Sequence, residues 1–200
     1  MAYVLRTCAV DLISYNGFQW PESGYVEAPD WNPAPECGNG LHGFLWGEGN
    51  GGLADWSHDA KWLVVKVIGD YVDLGGKVKF RAGEVVYCGD RIGATAKIVE
   101  LGAKGAVIGG TATAGNDGTA TAGYRGTATA GYRGTATAGE YGTATAGEYG
   151  TATAGNGGTV MVKYRDGRRY RLAIGYVGEE GIEPNVPYQC DATGRLVRAN

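Results

Sequence analysis

Side chains that could do chemistry are concentrated in the first third of the sequence. They form one polar and aromatic group: Cys37, Asn39, His42, Trp46, Glu48, Trp56, His58 and Asp59. His42 and Glu48 are the candidate ligand contacts of this group. General acid or base catalysis needs a side chain that its neighbours hold in place, and Glu48 lies between Gly47 and Gly49. The sequence therefore predicts no catalytic residue.

Metal and phosphate binding are not indicated either. Cys37, His42 and His58 would give zinc three ligands without a convincing fourth. The Gly-rich segment 47–52 lacks the lysine and the strand–loop–helix context of a phosphate-binding loop. The four cysteines form no Cys-x-x-Cys pair, so buried, reduced thiols are expected. We expect no metal and no cofactor.

The elements that must position this group belong to an α+β domain over residues 1–91. Apolar and β-branched runs predict four strands and one weak helix; the strands are 3–10, 61–68, 77–80 and 84–88, and the helix is 53–62. Residues 92–109 carry alternating Ala, Thr, Ile and Val. We interpret 92–109 as a degenerate lead-in coil, or N-terminal cap, of the region that follows.

Six exact octads fill residues 110–157, each beginning Gly-Thr-Ala-Thr-Ala-Gly. Thr-Ala-Thr-Ala predicts a short strand, and the Gly-x-x-Gly between strands predicts a corner with glycines at positive φ. One strand cannot close a coil, so two octads make a 16-residue coil with two opposed strands. The fold class is therefore mostly β, a β-solenoid of 16-residue coils with caps at both ends. A three-sided 24-residue coil is the alternative.

Strand alternation separates the threonines from the alanines of each octad. We place alanine inside, because only methyl-sized groups fit between sheets this close and buried hydroxyls would need partners. The outward rows are Thr111, Thr113, Thr119, Thr121, Thr127, Thr129, Thr135, Thr137, Thr143, Thr145, Thr151 and Thr153. A 16-residue period also stacks a ladder of corner residues: Tyr124, Arg125, Tyr132, Arg133, Glu140, Tyr141, Glu148 and Tyr149.

Residues 158–200 are predicted to form a C-terminal β-hairpin cap. The octad 158–165 keeps Gly-Thr but places Val160 and Val162 where alanine stood. The Asp-Gly pair at 166–167 marks a hairpin turn. We expect the cap to cover the last coil without extending its sheets.

The octads, read in the frame AGYRGTAT-AGEYGTAT, resemble the paired octads of bacterial ice-nucleation proteins, which carry AGYGSTQT-AGEDSSLT. The resemblance implies a β-solenoid with threonine rows that organise water and tyrosines at stacked corners. Members of that family run for dozens of coils, whereas 48 residues make three coils of 16.

Two further resemblances concern the flanking regions. Residues 17–20, 37–42, 62–65 and 177–184 resemble uncharacterised phage and bacterial proteins that join a compact N-terminal domain to GAASATG-type octads. That resemblance implies this architecture and a mobile-element origin. Residues 40–42 and the helix predicted after them are faintly similar to the nucleotide cleft of ADP-ribosyltransferase-like folds, which implies nucleotide contacts at His42 and Glu48.

The predicted function is that of a non-enzymatic structural or interaction protein with the solenoid as rigid spacer or assembly surface. Binding of ice or another crystal surface through the Thr-x-Thr rows is one alternative, and a nucleotide-binding first domain is another. A net charge of −3 argues against nucleic acid, since the one basic cluster, Arg165, Arg168, Arg169 and Arg171, is interpreted as a solvated hairpin. No apolar run suits a membrane. We expect a protein partner or self-association, and a cytoplasmic or virion-associated location without a signal peptide.

Overall fold

The computed structural model describes residues 1–14 and 17–199. The chain divides into two compact units, Met1–Lys104 and Gly105–Asn200. Within the described residues, no helix is both long and apolar enough to cross a membrane.

The first unit is built on a five-stranded antiparallel sheet. Its strands are β1 (Tyr3–Cys8), β2 (Gly24–Glu27), β3 (Leu41–Leu45), β4 (Lys61–Asp73) and β5 (Val78–Gly89). The spatial order is β2-β5-β3-β1-β4, and β4 also pairs with β5. Four of the strands therefore close into a ring. Apolar side chains that alternate along β1, β4 and β5, among them Leu63, Val65 and Phe80, fill its core.

Two predictions for this unit need correction. The segments 77–80 and 84–88, predicted as two strands, belong to the single strand β5, which pairs along most of its length with β4. The predicted helix 53–62 is absent: a short 3₁₀ turn over Gly51–Leu53 precedes it, and β4 takes its last two residues. The β-branched run that starts at Lys61 outweighs the weak helical pattern before it.

The predicted lead-in coil at 92–109 is wrong over its first half. Arg91–Glu100 form the helix α1, with Asp90 as N-cap accepting a hydrogen bond from Gly93 N at 2.7 Å. Ala94, Thr95 and Ile98 make its buried face at helical spacing. The alternation of small and β-branched residues thus concealed a helical period and an N-cap signal.

The second unit is a two-sheet solenoid with 16 residues per coil, as predicted. Its Thr-Ala-Thr-Ala strands are β6 (Thr111–Ala114), β7 (Thr119–Ala122), β8 (Thr127–Ala130), β9 (Thr135–Ala138), β10 (Thr143–Ala146) and β11 (Thr151–Ala154). β6, β8 and β10 pair in parallel with identical residues opposite one another, as Thr111 with Thr127. β7, β9 and β11 do the same in the other sheet. The three-sided alternative is therefore excluded.

The two glycines that every octad repeats serve the corners by close approach and not by positive φ. The left-handed residue is the last of each octad: Asp117, Arg125, Arg133, Tyr141 or Tyr149 in the first five, with φ of 52–60°, and Gly157 in the sixth, with φ of 63°. A Cβ on Gly147 would lie 2.4 Å from the carbonyl carbon of Gly131 in the coil beneath. The glycines are therefore needed because stacked corners leave no room for a side chain, which corrects the expected role.

The C-terminal cap extends both sheets, first by the parallel strand β12 (Thr159–Arg165) beside β10 and otherwise by antiparallel strands. β12 continues one sheet and turns into β13 (Tyr170–Tyr176), while β14 (Tyr188–Cys190) and β15 (Leu196–Arg198) continue the other. Val160 and Val162 fill the alanine slots with no exposed area. The expectation of a cap that adds no strand is therefore wrong, because the hairpins satisfy the open edge by pairing with it.

Candidate functional site

The threonine rows form the most regular surface of the solenoid. In the β6 sheet, Thr111, Thr127 and Thr143 stand in register with Thr159. Strands of one sheet lie about 4.8 Å apart, and alternate residues of one strand about 6.6 Å apart, so the hydroxyls form a rectangular array. The threonines of β6, β7 and β8 are exposed and those of β9, β10 and β11 half-buried.

The alanine rows explain why these faces are flat. From Ala120 to Ala154 every inward alanine of the octads is at most 4% exposed. Side chains of one size pack between the sheets at every rung, so no rung bulges. Alanine therefore sets the geometry of the surface, and threonine sets its chemistry.

The corner residues pack along the stack. Tyr124 and Tyr141 meet edge to face with ring centroids 5.6 Å apart, and Tyr132 and Tyr149 at 5.7 Å. The Arg125 guanidinium lies 5.8 Å from the rings of both Tyr124 and Tyr141. Such contacts contribute about 0.5–1 kcal/mol each.

Backbone hydrogen bonds join the same corners. Arg125 N donates to Glu140 O at 2.8 Å, and Arg133 N donates to Glu148 O at 3.0 Å. These bonds link the left-handed residue of one coil to the preceding corner position in the next. At both corners the main chain thus joins an arginine of one coil to a glutamate of the next.

One face ends in an apolar stripe. The β13 residues Tyr170, Leu172, Ile174 and Tyr176 point outward and are 49–54% exposed. Ile174 stands opposite Met161, which occupies a threonine slot of the octad pattern. A groove of ≈ 400 Å³ adjoins this stripe. It is lined by Thr129, Thr145, Lys163 and Tyr170, together with neighbouring corner residues. No sequence pattern indicates this groove, because the groove forms only where the C-terminal hairpin meets the threonine rows.

The two candidate ligand residues of the first unit lie in different surroundings. His42, on β3, is half-buried and lines a cavity, and its pKa is lowered to about 4 by burial and by the positive charges of Lys77, Arg6 and Lys79. Glu48 is exposed and is not among the described residues that line this cavity. Imidazole and carboxylate are therefore not brought together there.

The cysteines differ in part from the sequence-based expectation of buried, reduced thiols. All four cysteines are free, and Cys37 is exposed, where burial was expected for every thiol. Its thiol accepts a hydrogen bond from Lys77 Nζ at 3.1 Å, and this bond lowers its pKa. Over residues 1–14 and 17–199, no group of three or more His, Cys, Asp or Glu side chains could hold a metal ion.

Comparison with known proteins separates the two units. Residues 2–100 match a family described as a domain of unknown function (DUF7666). The repeat region matches the ice nucleation protein of Pseudomonas syringae, 43% identical over 97 residues. The repeats are similar to those of ice nucleation proteins.

Other relatives agree in coverage. Ice nucleation protein InaU of Pantoea ananas is 36% identical over 94 residues, and the ice nucleation protein of Xanthomonas campestris pv. translucens is 38% identical over 90. The alignments cover 47%, 46% and 44% of this chain but only 8%, 9% and 6% of the relatives, which are much longer. No solved structure matches the chain. The chain is thus a repeat protein, and the resemblance of its octads to ice nucleation proteins, predicted from the sequence, is confirmed.

Proposed function

We propose that this chain is a non-enzymatic interaction protein in which the solenoid is a rigid spacer and its outer surface makes the contacts. The packing of the alanine core carries the proposal. Inward alanines and the cap residues Val160 and Val162 fill the space between the two sheets. Any partner of the solenoid must then be bound by its outward threonines, its corner side chains or the β13 stripe.

The β13 stripe suits a second copy of this chain. β13 is the outermost strand of its sheet, and an edge strand offers unpaired backbone groups. Its outward residues read Tyr, Leu, Ile, Tyr, nearly the same in both directions. A second β13 laid antiparallel would set Tyr170 against Tyr176 and Leu172 against Ile174. This is the self-complementary arrangement of a two-fold dimer.

Sedimentation velocity over a range of concentrations tests this proposal. We expect the full chain to dimerise reversibly, and Ile174→Lys to leave it monomeric, because each copy would place an ammonium group against Leu172 of the other in place of an apolar contact. Ile92→Lys is the matched control, since Ile92 is 73% exposed in the first unit. A monomer at every concentration, or a dimer that Ile174→Lys leaves intact, would contradict the proposal.

Ice binding is a second candidate, favoured by the in-register Thr-x-Thr rows and by the names of the relatives. Each broad face offers only three complete rungs of the two-threonine motif. We expect this platform to be too small for measurable thermal hysteresis by the single chain. Hysteresis or ice shaping that disappears in a folded Thr127→Val, Thr129→Lys, Thr143→Lys variant would place ice binding first.

We also propose a cytoplasmic or virion-associated location and a mobile-element origin. Both rest on the resemblance of residues 17–20 and 177–184 to phage and bacterial proteins. Fractionation of cells that express the native gene is the test, and recovery in the membrane fraction would contradict the location.

A further inference from the structure

A cavity of ≈ 750 Å³ in the first unit takes no part in the proposed role of the solenoid. Its wall combines residues of β1 and β3, the segment before β2, the residues after β2, the loop before β3, and the residue before β5. The polar and aromatic members used below are Arg6, Trp20, Asn39, His42 and Lys77. This volume lies within the range of about 300–1,000 Å³ that small-molecule sites occupy.

Positive charge dominates this wall. Arg6 and Lys77 line the cavity, and Asp30 is the carboxylate that also lines it. Lys79, 1% exposed, lies behind the wall and donates to the carbonyl oxygens of Ala34 at 2.6 Å and Glu36 at 2.9 Å. Burial and these three cations lower the pKa of His42, so its ring is neutral at pH 7. The potential that disfavours a proton at His42 favours an anion beside it.

Three nitrogens of residues that line the cavity lack partners. Trp20 Nε1, Arg6 Nε and His42 Nε2 are buried and have no hydrogen-bond partner within residues 1–14 and 17–199. Trp20 is itself only 2% exposed. A buried donor without an acceptor is costly, and native folds retain few of them. Two unpaired donors, Trp20 Nε1 and Arg6 Nε, and one unpaired ring nitrogen, His42 Nε2, around one cavity indicate a site whose function requires polar groups there.

The loop before β3 adds an unusual backbone. Gly38, Asn39 and Gly40 are successive left-handed residues, with φ of 102°, 50° and 143°. A Cβ on Gly40 would lie 2.8 Å from Lys79 Cγ, so this stretch also needs glycine for close approach. Backbone conformations of this kind concentrate at ligand-binding loops.

Aromatic side chains supply the remaining chemistry. Phe18 and Trp20 both line the cavity and meet edge to face at 5.6 Å. The Arg6 guanidinium lies 5.6 Å from the Trp20 ring, so a cation and an aromatic wall adjoin each other. We propose that this cavity binds a small organic anion, with Arg6 and Lys77 attracting its phosphate or carboxylate group and Phe18 and Trp20 packing against its planar body.

Isothermal titration of the full chain with adenosine 5′-monophosphate and with benzoate tests this proposal, with adenosine as the uncharged probe. We expect at least one anion to bind and adenosine to bind much more weakly. Arg6→Gln and Lys77→Gln should each weaken binding about tenfold or more, because each removes a charged hydrogen-bond donor. Preference for the monophosphate would assign the site to phosphate, and preference for benzoate to carboxylate.

Arg91→Gln is the control for charge alone. Arg91 is exposed at the start of α1 and does not line the cavity. Arg91→Gln should leave anion binding unchanged. Ile174→Lys should also leave it unchanged, so the test of this site is independent of the test of the proposed dimer. Circular dichroism establishes that each variant is folded. If Arg6→Gln does not fold, Lys77→Gln alone tests the contribution of positive charge to binding. Failure of both anions to bind the native chain, or binding that folded Arg6→Gln and Lys77→Gln leave unchanged, would overturn the proposal.

Discussion

The first unit and the solenoid differ in how they satisfy the backbone groups at the edges of their sheets. The first closes a ring of antiparallel strands around large, varied side chains such as Leu63 and Phe80. The solenoid stacks identical strands over alanine and leaves a sheet edge wherever the repeat stops. A closed ring protects its own edges, whereas a stack depends on its caps. The two units should therefore fail differently when they are altered.

Removal of the cap should have the largest effect. Without residues 158–200, strands β10 and β11 lose β12 and β14, and both sheets end in unpaired backbone. We expect this truncation to aggregate during expression, as shown by light scattering and loss of soluble protein. A soluble, monodisperse truncation would show that the stack ends safely without its hairpins.

The next test compares the two sides of one strand. Ala128 has no exposed area and faces the opposite sheet, whereas Thr127 is exposed. Ala128→Leu should cost about 3 kcal/mol or more, because the uniform rungs cannot move apart singly. Thr127→Lys should change the free energy of unfolding by less than about 0.5 kcal/mol. Thermal unfolding measures both, and equal costs would refute the inward placement of alanine.

The solenoid could be predicted from the sequence, whereas part of the first unit could not. The octads predicted the coil length and the inward alanines because a repeat shows its period directly, and strand alternation fixes the face of each residue. The sequence could not predict the helix at Arg91–Glu100 in the same way. There, the pattern of β-branched residues fitted two periods, and the N-cap at Asp90 decided between them.

The cavity was predicted only in part, for a related reason. Asn39 and His42 are close in sequence and were recognised as one group. Arg6 and Lys77 join them because β3 pairs with both β1 and β5. Contacts that depend on antiparallel pairing between distant strands leave no local signature. The outward threonines could be predicted without knowing which distant strands pair, because each octad repeats them.

The corner glycines provide a smaller contrast within the solenoid itself. Gly115 and Gly147 hold the same octad position, but a Cβ on Gly115 would have nothing within 4 Å. On Gly147 it would meet the Gly131 carbonyl group at 2.4 Å. Gly147→Ala should cost about 2 kcal/mol, and Gly115→Ala should be neutral or stabilising by up to about 1 kcal/mol. Chemical denaturation measures both; similar values would mean that the glycines serve backbone freedom after all.

The smallest effect is expected at the left-handed corners. Asp117 has φ of 54°, and its N–H donates to Tyr132 O at 2.8 Å. Glycine keeps this hydrogen bond and removes the steric penalty on a Cβ, while the unfolded chain gains entropy. We expect Asp117→Gly to stabilise the protein by no more than about 1 kcal/mol.

Tyr149→Gly relieves the same kind of strain, at φ of 60°, but loses the edge-to-face contact with Tyr132. That contact contributes about 0.5–1.5 kcal/mol, so Tyr149→Gly should be neutral or destabilising. The difference between the two substitutions, measured by denaturant unfolding, gives the contribution of the tyrosine stack. If Tyr149→Gly stabilises as much as Asp117→Gly, the stacked tyrosines contribute nothing to stability, and a contact with a partner would remain as the reason for their repetition.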